Sequence, residues 1–571
     1  MSSYDWDRAC PVYGEYVQEP PADGLEEGLP DAEPDCFEVS RNLRLGRVAR
    51  TVGWTVAGLT VVTGGFLLGA RLSETANPGT AEPTLVFPDN DYPAVDTSAY
   101  ATEVIPKGRI VKVPESIVRD CSVDVAGPLN EFVDAQPDGT SPADMTIIEF
   151  PAGACYALDG RVPPGVNPNQ PQTDFPLGPW NGLVVSGKHY FALRSESAHS
   201  PAELRFTGEA PRYPTEKSRP INRFLIGLNN VSNVYVGGLR LTGQHSGGYK
   251  INGEYDRGVA VMGGSAVTLR SLEINDVQGD AVQLLPKGPW NRFGQPVGPD
   301  GKVMPDKPLN VPTGVYMSDL YIENPGRQAV AINTADGVVI KNSKFFNLPY
   351  HAVNVEGHYP VAPMRNIAIT NNTFAGPLKY TYLSLTPQSK SPAVKSGGVS
   401  NVLFEGNLSV AENTTNGYPA VYAGKPQANV AKAATISQLI VRGNTLTTPA
   451  QGVELYNVKG AVVEKNAFTT RYANVLTFPS DTNGVFGVVV AKQGVSDLTM
   501  SDNSMTDNGP KRAATDPNAS RIGSRATTLI PTGMLVTLEK LDYPLGPISV
   551  DSIILGSGQR YWPPLPPASD K

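Results

Sequence analysis

Residues 314–324, GVYMSDLYIEN, and residues 337–347, GVVIKNSKFFN, superpose without a gap, and their first residues are 23 apart. Each opens on alternating apolar residues, passes through a polar pair, adds a second apolar pair and ends in a turn. Alternation of period two marks short strands with one buried face. The Asp and Asn residues that interrupt it tolerate the left-handed backbone that a corner requires. Seven further segments carry the pattern: NVYVGGLRLTG (233–243), AVTLRSLEIND (266–276), NIAITNNTFAG (366–376), NVLFEGNLSVA (401–411), QLIVRGNTLTT (438–448), AVVEKNAFTTR (461–471) and DLTMSDNSMTD (497–507). A unit of this length, repeated this often, predicts an all-β fold, a right-handed parallel β-helix with three strands per coil. A β-sandwich would need hairpin turns between successive strands, and Asn-Gly turns at hairpin spacing are few. Asn233, Asn366 and Asn401 are turn formers or, alternatively, members of an amide ladder stacked inside a corner.

Composition agrees with this reading. With 57 Gly, 52 Pro and only 18% charged residues, the chain is rich in turns and short of helix formers. A solenoid grows by adding coils, so 571 residues do not force a division into several cores. The net charge of −8 is unevenly spread. Residues 1–40 hold eleven acids against Arg8 alone, the next ten hold Arg41, Arg44, Arg47 and Arg50, and the chain from Arg71 onward is nearly neutral. No basic stripe of the kind that contacts phosphates runs along the repeats, so nucleic acid is excluded as a partner.

Residues 51–70, TVGWTVAGLTVVTGGFLLGA, carry no charge and follow directly on the four arginines. This length suits a membrane-spanning helix, and the arginines place the N-terminus in the cytoplasm and the long C-terminal part outside. A cleaved signal peptide would need a short leader and a small-residue cleavage site, whereas some fifty residues precede this run. The expected order is an acidic, disordered tail with a basic juxtamembrane end (1–50), a span (51–70), a stalk (71–108), the β-helix (109–510), and cap strands with a Pro-rich tail (511–571). A short helix within 124–139 would cover the open N-terminal end of the solenoid. Cys121 and Cys155, both on the outer side, either form a disulfide or remain buried thiols.

A second column follows each corner, in GDAVQLL (279–285), RQAVAIN (327–333), YHAVNVE (350–356) and AQGVELY (450–456). If Val282, Val330, Val353 and Val453 point inward, then Gln283, Ala331, Asn354 and Glu454 share the outward face. Asp280, then Arg327 with Gln328, then His351 with Asn354 and Glu356 would fall on three neighbouring coils of that face. Two long insertions, 286–312 and 376–398, interrupt the repeat near this column, and long loops on a rigid solenoid tend to carry function. Trp290, Phe293, Tyr380 and Tyr382 from these loops either stack on sugars or pack the loops down. His245, Tyr249 and His358 are weaker candidates from inserted loops.

The opening SVDVAGPLNEFVDAQPDG, the later IIEFPAGACYALDG, and the motifs GDAV (279–282), GRQAV (326–330) and NVEG (354–357) together resemble the pectin-lyase-like superfamily. Within it the chain looks most like actinobacterial right-handed parallel β-helix repeat proteins, over residues 110–510. The resemblance implies action on polysaccharide. The paired aspartates and Gly-His-Gly of the hydrolytic pectinases do not stand in this sequence.

Two functions of different class remain. As a glycoside hydrolase or polysaccharide lyase, the chain would use Asp280, Arg327, Glu356 and His351 as catalytic groups, with Gln283, Gln328, Asn354, His358 and Trp290 on the substrate. A lyase must neutralise a uronate carboxylate, which Arg327 or Ca²⁺ would do. As a non-catalytic scaffold or adhesin it would hold glycan or a protein partner on the same face. Convergence of Asp280, Arg327 and Glu356 favours the enzyme.

Overall fold

The computed structural model describes residues 97–159, 182–208, 223–248, 256–287, 309–357, 362–387, 398–409, 418–424, 436–448 and 452–470, with shorter stretches between 489 and 555. The acidic tail, the expected span at 51–70, Trp290, Phe293, Tyr249, His358 and the Pro-rich end lie outside the described residues. Among those described, no helix is long and apolar enough to cross a membrane.

Among the described residues, three parallel sheets of 13, 13 and 11 strands wind around one apolar core, and the inner coils give one strand to each sheet. One coil places Thr313–Ser318 in the first sheet, Tyr321–Glu323 in the second and Val330–Ile332 in the third. The next places Ala335–Lys341, Lys344–Leu348 and Val353–Val355 directly over them. Val315 pairs with Val338, Ile322 with Phe345 and Val330 with Val353, so like side chains stack along the axis. The all-β, three-strand coil is therefore a parallel β-helix.

Two columns of left-handed residues make the corners. The first lies at the start of the first-sheet strands: Asn233, Ala266, Gly314, Gly337, Asn366, Asn401, Gln438 and Gly460, with φ from +52° to +75°. The second divides sheets one and two: Gly238, Ser271, Asp319, Asn342, Asn371, Gly406, Gly443 and Lys465, with φ from +51° to +65°. A left-handed backbone strains most residues by about 1 kcal/mol or more. Asn, Asp and Gly accept it most readily, and they hold most of these places. Asn233, Asn366 and Asn401 are thus turn formers. Asn401 does donate to Asn366 (2.8 Å) and Asn366 to Asp336 (2.7 Å), but on the half-buried outer side.

The buried ladder is made by other asparagines. Immediately after the second corner column, Leu239, Leu272 and Leu320 fill the core, then Ser343 follows, and then Asn372, Asn407, Asn444, Asn466 and Asn503. All five Asn are at most 1% exposed. From Asn407 onward each side-chain carbonyl accepts from the backbone N–H and the amide of the preceding Asn in the stack, as Asn444 does from Asn407 at 2.9 and 3.0 Å. Each amide also donates to a core strand carbonyl, Asn444 to that of Phe404 at 2.9 Å. A polar column inside an apolar core is tolerable because the bonding is complete.

At the N-terminal end, helix α1 (Ala126–Asp134) seats Leu129 and Val133 in the core. Its buried Asn130 donates to the carbonyl of Gly182 (2.7 Å) and accepts from the N–H of Val184 (2.9 Å). These groups lie at the start of Leu183–Ser186, the last strand of the third sheet among the described residues. Cys121 and Cys155 are joined as a disulfide closing 34 residues.

Two expected boundaries move. Residues 97–107, read from sequence as the end of a stalk, lie along the outer face of the first sheet. Tyr100 and Ala101 are buried there against Tyr316, Val339, Ala368 and Leu403. Tyr100 bonds Asn401 (3.2 Å), and the N–H of Val104 bonds Thr268 (2.7 Å). At the other end the sheets do not stop at 510: Thr537–Leu538, Ile548–Val550 and Ile553–Leu555 extend the third, first and second sheets in turn.

Asn444→Ala removes one rung of the amide ladder and leaves buried donors and acceptors unpaired on the coils above and below. The expected cost is about 3 kcal/mol or more in urea unfolding. A loss under about 1 kcal/mol would show the ladder to be incidental.

Candidate functional site

The third sheet positions the chemistry. Its register sets Val282 over Val330, Val353, Leu383 and Val421, with Gln283, Ala331, Asn354, Ser384 and Tyr422 between them on the outward face. The expected order of Asp280, Arg327 with Gln328, and His351 with Asn354 and Glu356 on three successive coils follows from this register. The expected solvent exposure does not. Asp280, Gln328, Asn354 and Glu356 are at most 3% exposed, Arg327 5% and His351 9%. Alternation reports which way a side chain points from its own strand, and it is blind to what lies over that side.

Within the group, the Arg327 guanidinium stands 3.6 Å from one Asp280 carboxylate oxygen. The other oxygen accepts from the Gln328 backbone N–H at 3.2 Å. Burial raises the Asp280 carboxyl to about 6, with Glu356 pushing the same way, while Arg327 and Arg257 pull it back. Arg257 stands on the preceding coil, where Val259 pairs with Val282, so it occupies the place equivalent to Asp280. Asn333 joins the two ends of the cluster: it accepts from Gln283 (2.8 Å) and donates toward the Glu356 carboxylate (3.5 Å). His351 Nδ1 meets the Thr381 hydroxyl at 2.8 Å.

Sequence reasoning missed Arg257 and Asn333. Arg257 is the second residue of DRGVAVM (256–262), an unmarked copy of the third-sheet pattern behind an inserted loop. Asn333 follows Ile332 directly and would have been found by extending the strand one residue. Of the loop aromatics, Tyr382 belongs to the core, 1% exposed and donating to the Thr447 carbonyl at 2.7 Å. Tyr380 is half-buried. His245 is buried at 4% exposure, and its backbone N–H donates to the Asp276 carbonyl at 2.6 Å.

Four side chains on this face are buried with polar atoms that bond nothing: Gln283 Oε1, both amide atoms of Gln328, Asn354 Oδ1 and Ser384 Oγ. Each such atom costs about 1–3 kcal/mol against a paired one. These buried atoms, gathered on one face beside a carboxyl raised by burial, make this face the candidate site. Among the described residues no group of three or more His, Cys, Asp or Glu is placed to hold a metal ion. A cleft of about 460 Å³, lined by residues including His189, Asn230, Ser232 and Asn310, lies at a different corner.

No family model and no curated protein matches the sequence. Solved structures do. The chain is similar to a tailspike. The tailspike protein of E. coli bacteriophage HK620 in complex with a pentasaccharide is 12% identical, at a TM-score of 0.43 over 69% of this chain and 61% of that one. A double mutant of the same tailspike is 12% identical, at 0.43 over 70% and 61%. A point mutant with a pentasaccharide is 13% identical, at 0.43 over 76% and 74%. The chain thus spans about 61% of the length of the first of these.

The raised carboxyl has a measurable consequence. Asp280 favours folding when protonated, so its contribution is whole below the ordinary carboxyl range and is lost as pH rises through about 6. Relative to Asp280→Asn, the parent chain is expected to lose ~2 kcal/mol between pH 4.5 and 7.5 in urea unfolding. Parallel pH profiles would mean that Asp280 titrates normally.

Proposed function

We propose that this chain is a membrane-anchored, extracytoplasmic β-helix protein that acts on polysaccharide at the outward face of its third sheet. The observation that carries the reading is the convergence of Asp280, Arg327 and Glu356 with Asn333 on three successive coils, with the Asp280 carboxyl raised by burial to about 6. A carboxyl raised toward neutrality is what a general acid requires, and a second carboxylate together with a guanidinium completes the parts for cleaving a sugar linkage. Glu356 serves as base or nucleophile in a hydrolase. In a lyase, Arg327 neutralises a uronate carboxylate while His351 or Glu356 takes the proton beside it. Gln283, Gln328 and Asn354 contribute amides suited to sugar hydroxyls. Residues 51–70 provide the anchor, with the acidic tail in the cytoplasm.

The burial of all three groups favours one alternative, a non-catalytic scaffold that holds glycan on the same face. Cleavage assays separate the two. The full-length chain is incubated with uronate-containing and neutral polysaccharides, with and without Ca²⁺, and both unsaturated-product absorbance and new reducing ends are followed. Absorbance that falls about 10²-fold or more in Arg327→Ala identifies a lyase. Reducing ends without absorbance, lost by a similar factor in Glu356→Gln, identify a hydrolase. Glycan binding with neither product leaves the scaffold.

A further inference from the structure

The cleft at the first corner is built on one column of the first sheet. His189, Ser232, Ser265 and Thr313 pair in register on four successive coils, each one residue before a left-handed position. The returning arm of the long insertion supplies more of the lining. Asn310 holds that arm to the corner: its side-chain carbonyl accepts from the Gly264 N–H at 3.2 Å and its amide donates to Asn230 at 2.5 Å. Its backbone carbonyl accepts from the Lys287 N–H at 2.7 Å. Leu309 and Val311, on either side of it, pack against the apolar cluster of Phe224, Met262 and Leu285. The cleft of about 460 Å³ thus combines an imidazole and hydroxyls with two aliphatic side chains, a size and mixture suited to a small ligand.

Two of the lining side chains are in contact. His189 Nδ1 and the Ser232 hydroxyl stand 2.5 Å apart. His189 is exposed and Ser232 half-buried, so a solute reaches both. In the neutral tautomer with its proton on Nε2, the His189 ring accepts the hydroxyl proton at Nδ1. A serine within hydrogen-bond reach of an imidazole, both lining a cleft, is the arrangement that activates a hydroxyl for acyl transfer. Ser265 follows Ser232 on the next coil, and its hydroxyl makes no hydrogen bond among the described residues. Among those residues no carboxylate bonds the His189 ring either. A dyad of this kind lacks the partner that stabilises the imidazolium, and an ester, with its easier leaving group, demands less of it than an amide.

We propose that Ser232 and His189 are the nucleophile and base of a second site, an esterase for short acyl esters of an alcohol. Ser232 Oγ attacks the ester carbonyl carbon while its proton passes to His189 Nδ1. The Ser265 hydroxyl donates to the oxyanion that forms. Collapse breaks the C–O bond to the alcohol, which leaves with the proton from His189, and the acyl group stays on Ser232. Water, deprotonated by His189, then releases the acid, so one ester and one water give one alcohol and one carboxylic acid. Leu309 and Val311 offer apolar surface for an acyl chain of only a few carbons. The site uses no residue of the Asp280 cluster, so it and the glycan-acting reading fail separately.

The test follows hydrolysis of 4-methylumbelliferyl acetate and palmitate by the full-length chain in detergent. The acetate should be cleaved faster than the palmitate, and a reversed order overturns the short-chain assignment. Acetate turnover should fall about 10²-fold or more in Ser232→Ala and in His189→Gln, and about 10-fold or more in Ser265→Ala. His199→Ala removes another exposed histidine, one that does not line the cleft, and should keep the parent's rate. All four positions are exposed or half-buried, so the variants should melt with the parent. A fluorophosphonate gives a readout that needs no variant: it should attach to the parent chain at Ser232, as located by peptide mass spectrometry, and abolish hydrolysis as it does so. Parent-like turnover in Ser232→Ala, or a label at another serine, overturns the esterase and leaves His189 and Ser232 as a hydrogen-bonded surface pair. A parent chain that neither cleaves the acetate nor takes the label overturns it equally.

Discussion

Everything in this molecule depends on like residues stacking on like along the axis, because a parallel coil bonds only to the coils above and below it. The backbone ladder fixes the register, and the register fixes which side chains share a column. Two left-handed columns hold each coil to the same path, with a single residue at each corner. Once the path repeats, a column is a one-dimensional object with its own chemistry. The column after the second corner is apolar at Leu239, Leu272 and Leu320 and becomes an amide ladder from Asn372 to Asn503. The switch occurs at Ser343, whose hydroxyl accepts from the Leu320 N–H at 3.1 Å and whose own N–H donates to Asn372 at 2.9 Å.

The same rule explains how the candidate site is assembled from residues far apart in sequence. Asp280 and Arg327 are 47 positions apart because of the insertion at 286–312, yet they stand on adjacent coils. Insertions leave at corners and return to the same column, so loop length is free to vary while the strand positions keep their neighbours. Arg223 shows the structural use of charge on this side of the solenoid. It is fully buried, paired twice with Asp256 at 2.6 and 2.8 Å and bonded to the carbonyls of Asp159 and Gly208, with Phe206 against its guanidinium. Each of its three guanidinium nitrogens has a partner. The Asp280 group differs in being buried with one carboxylate oxygen left without a hydrogen bond.

The repeat was legible because alternation and corner residues are local signals. They fixed the coil, the inward valines and the coil on which each candidate residue stands. What was not legible came from outside the repeating unit. Burial of Gln283 and Asn354 depends on what lies over the outward face, which no strand pattern encodes. The true amide ladder was passed over because attention went to Asn233, Asn366 and Asn401 at the first corner, whereas the ladder stands one residue after the second, as in Asn371 and Asn372, where the first bends the chain and the second enters the core. Tyr382 reads as a loop aromatic two residues from Tyr380, yet it takes the corner place that Ala329 and Ala352 hold on the coils before it, and that place belongs to the core.

The segment 97–107 gives the solenoid a mechanical property. It enters at the coil of Asn401 and crosses the coils of Ala368, Val339 and Tyr316 before reaching that of Thr268, with Glu103 paired to Arg270 on the way. Tension arriving at residue 97 therefore meets these contacts in parallel before it reaches the edge strand Gly108–Lys112. The load is borne in shear across five coils, and the first coil is spared from being peeled away alone.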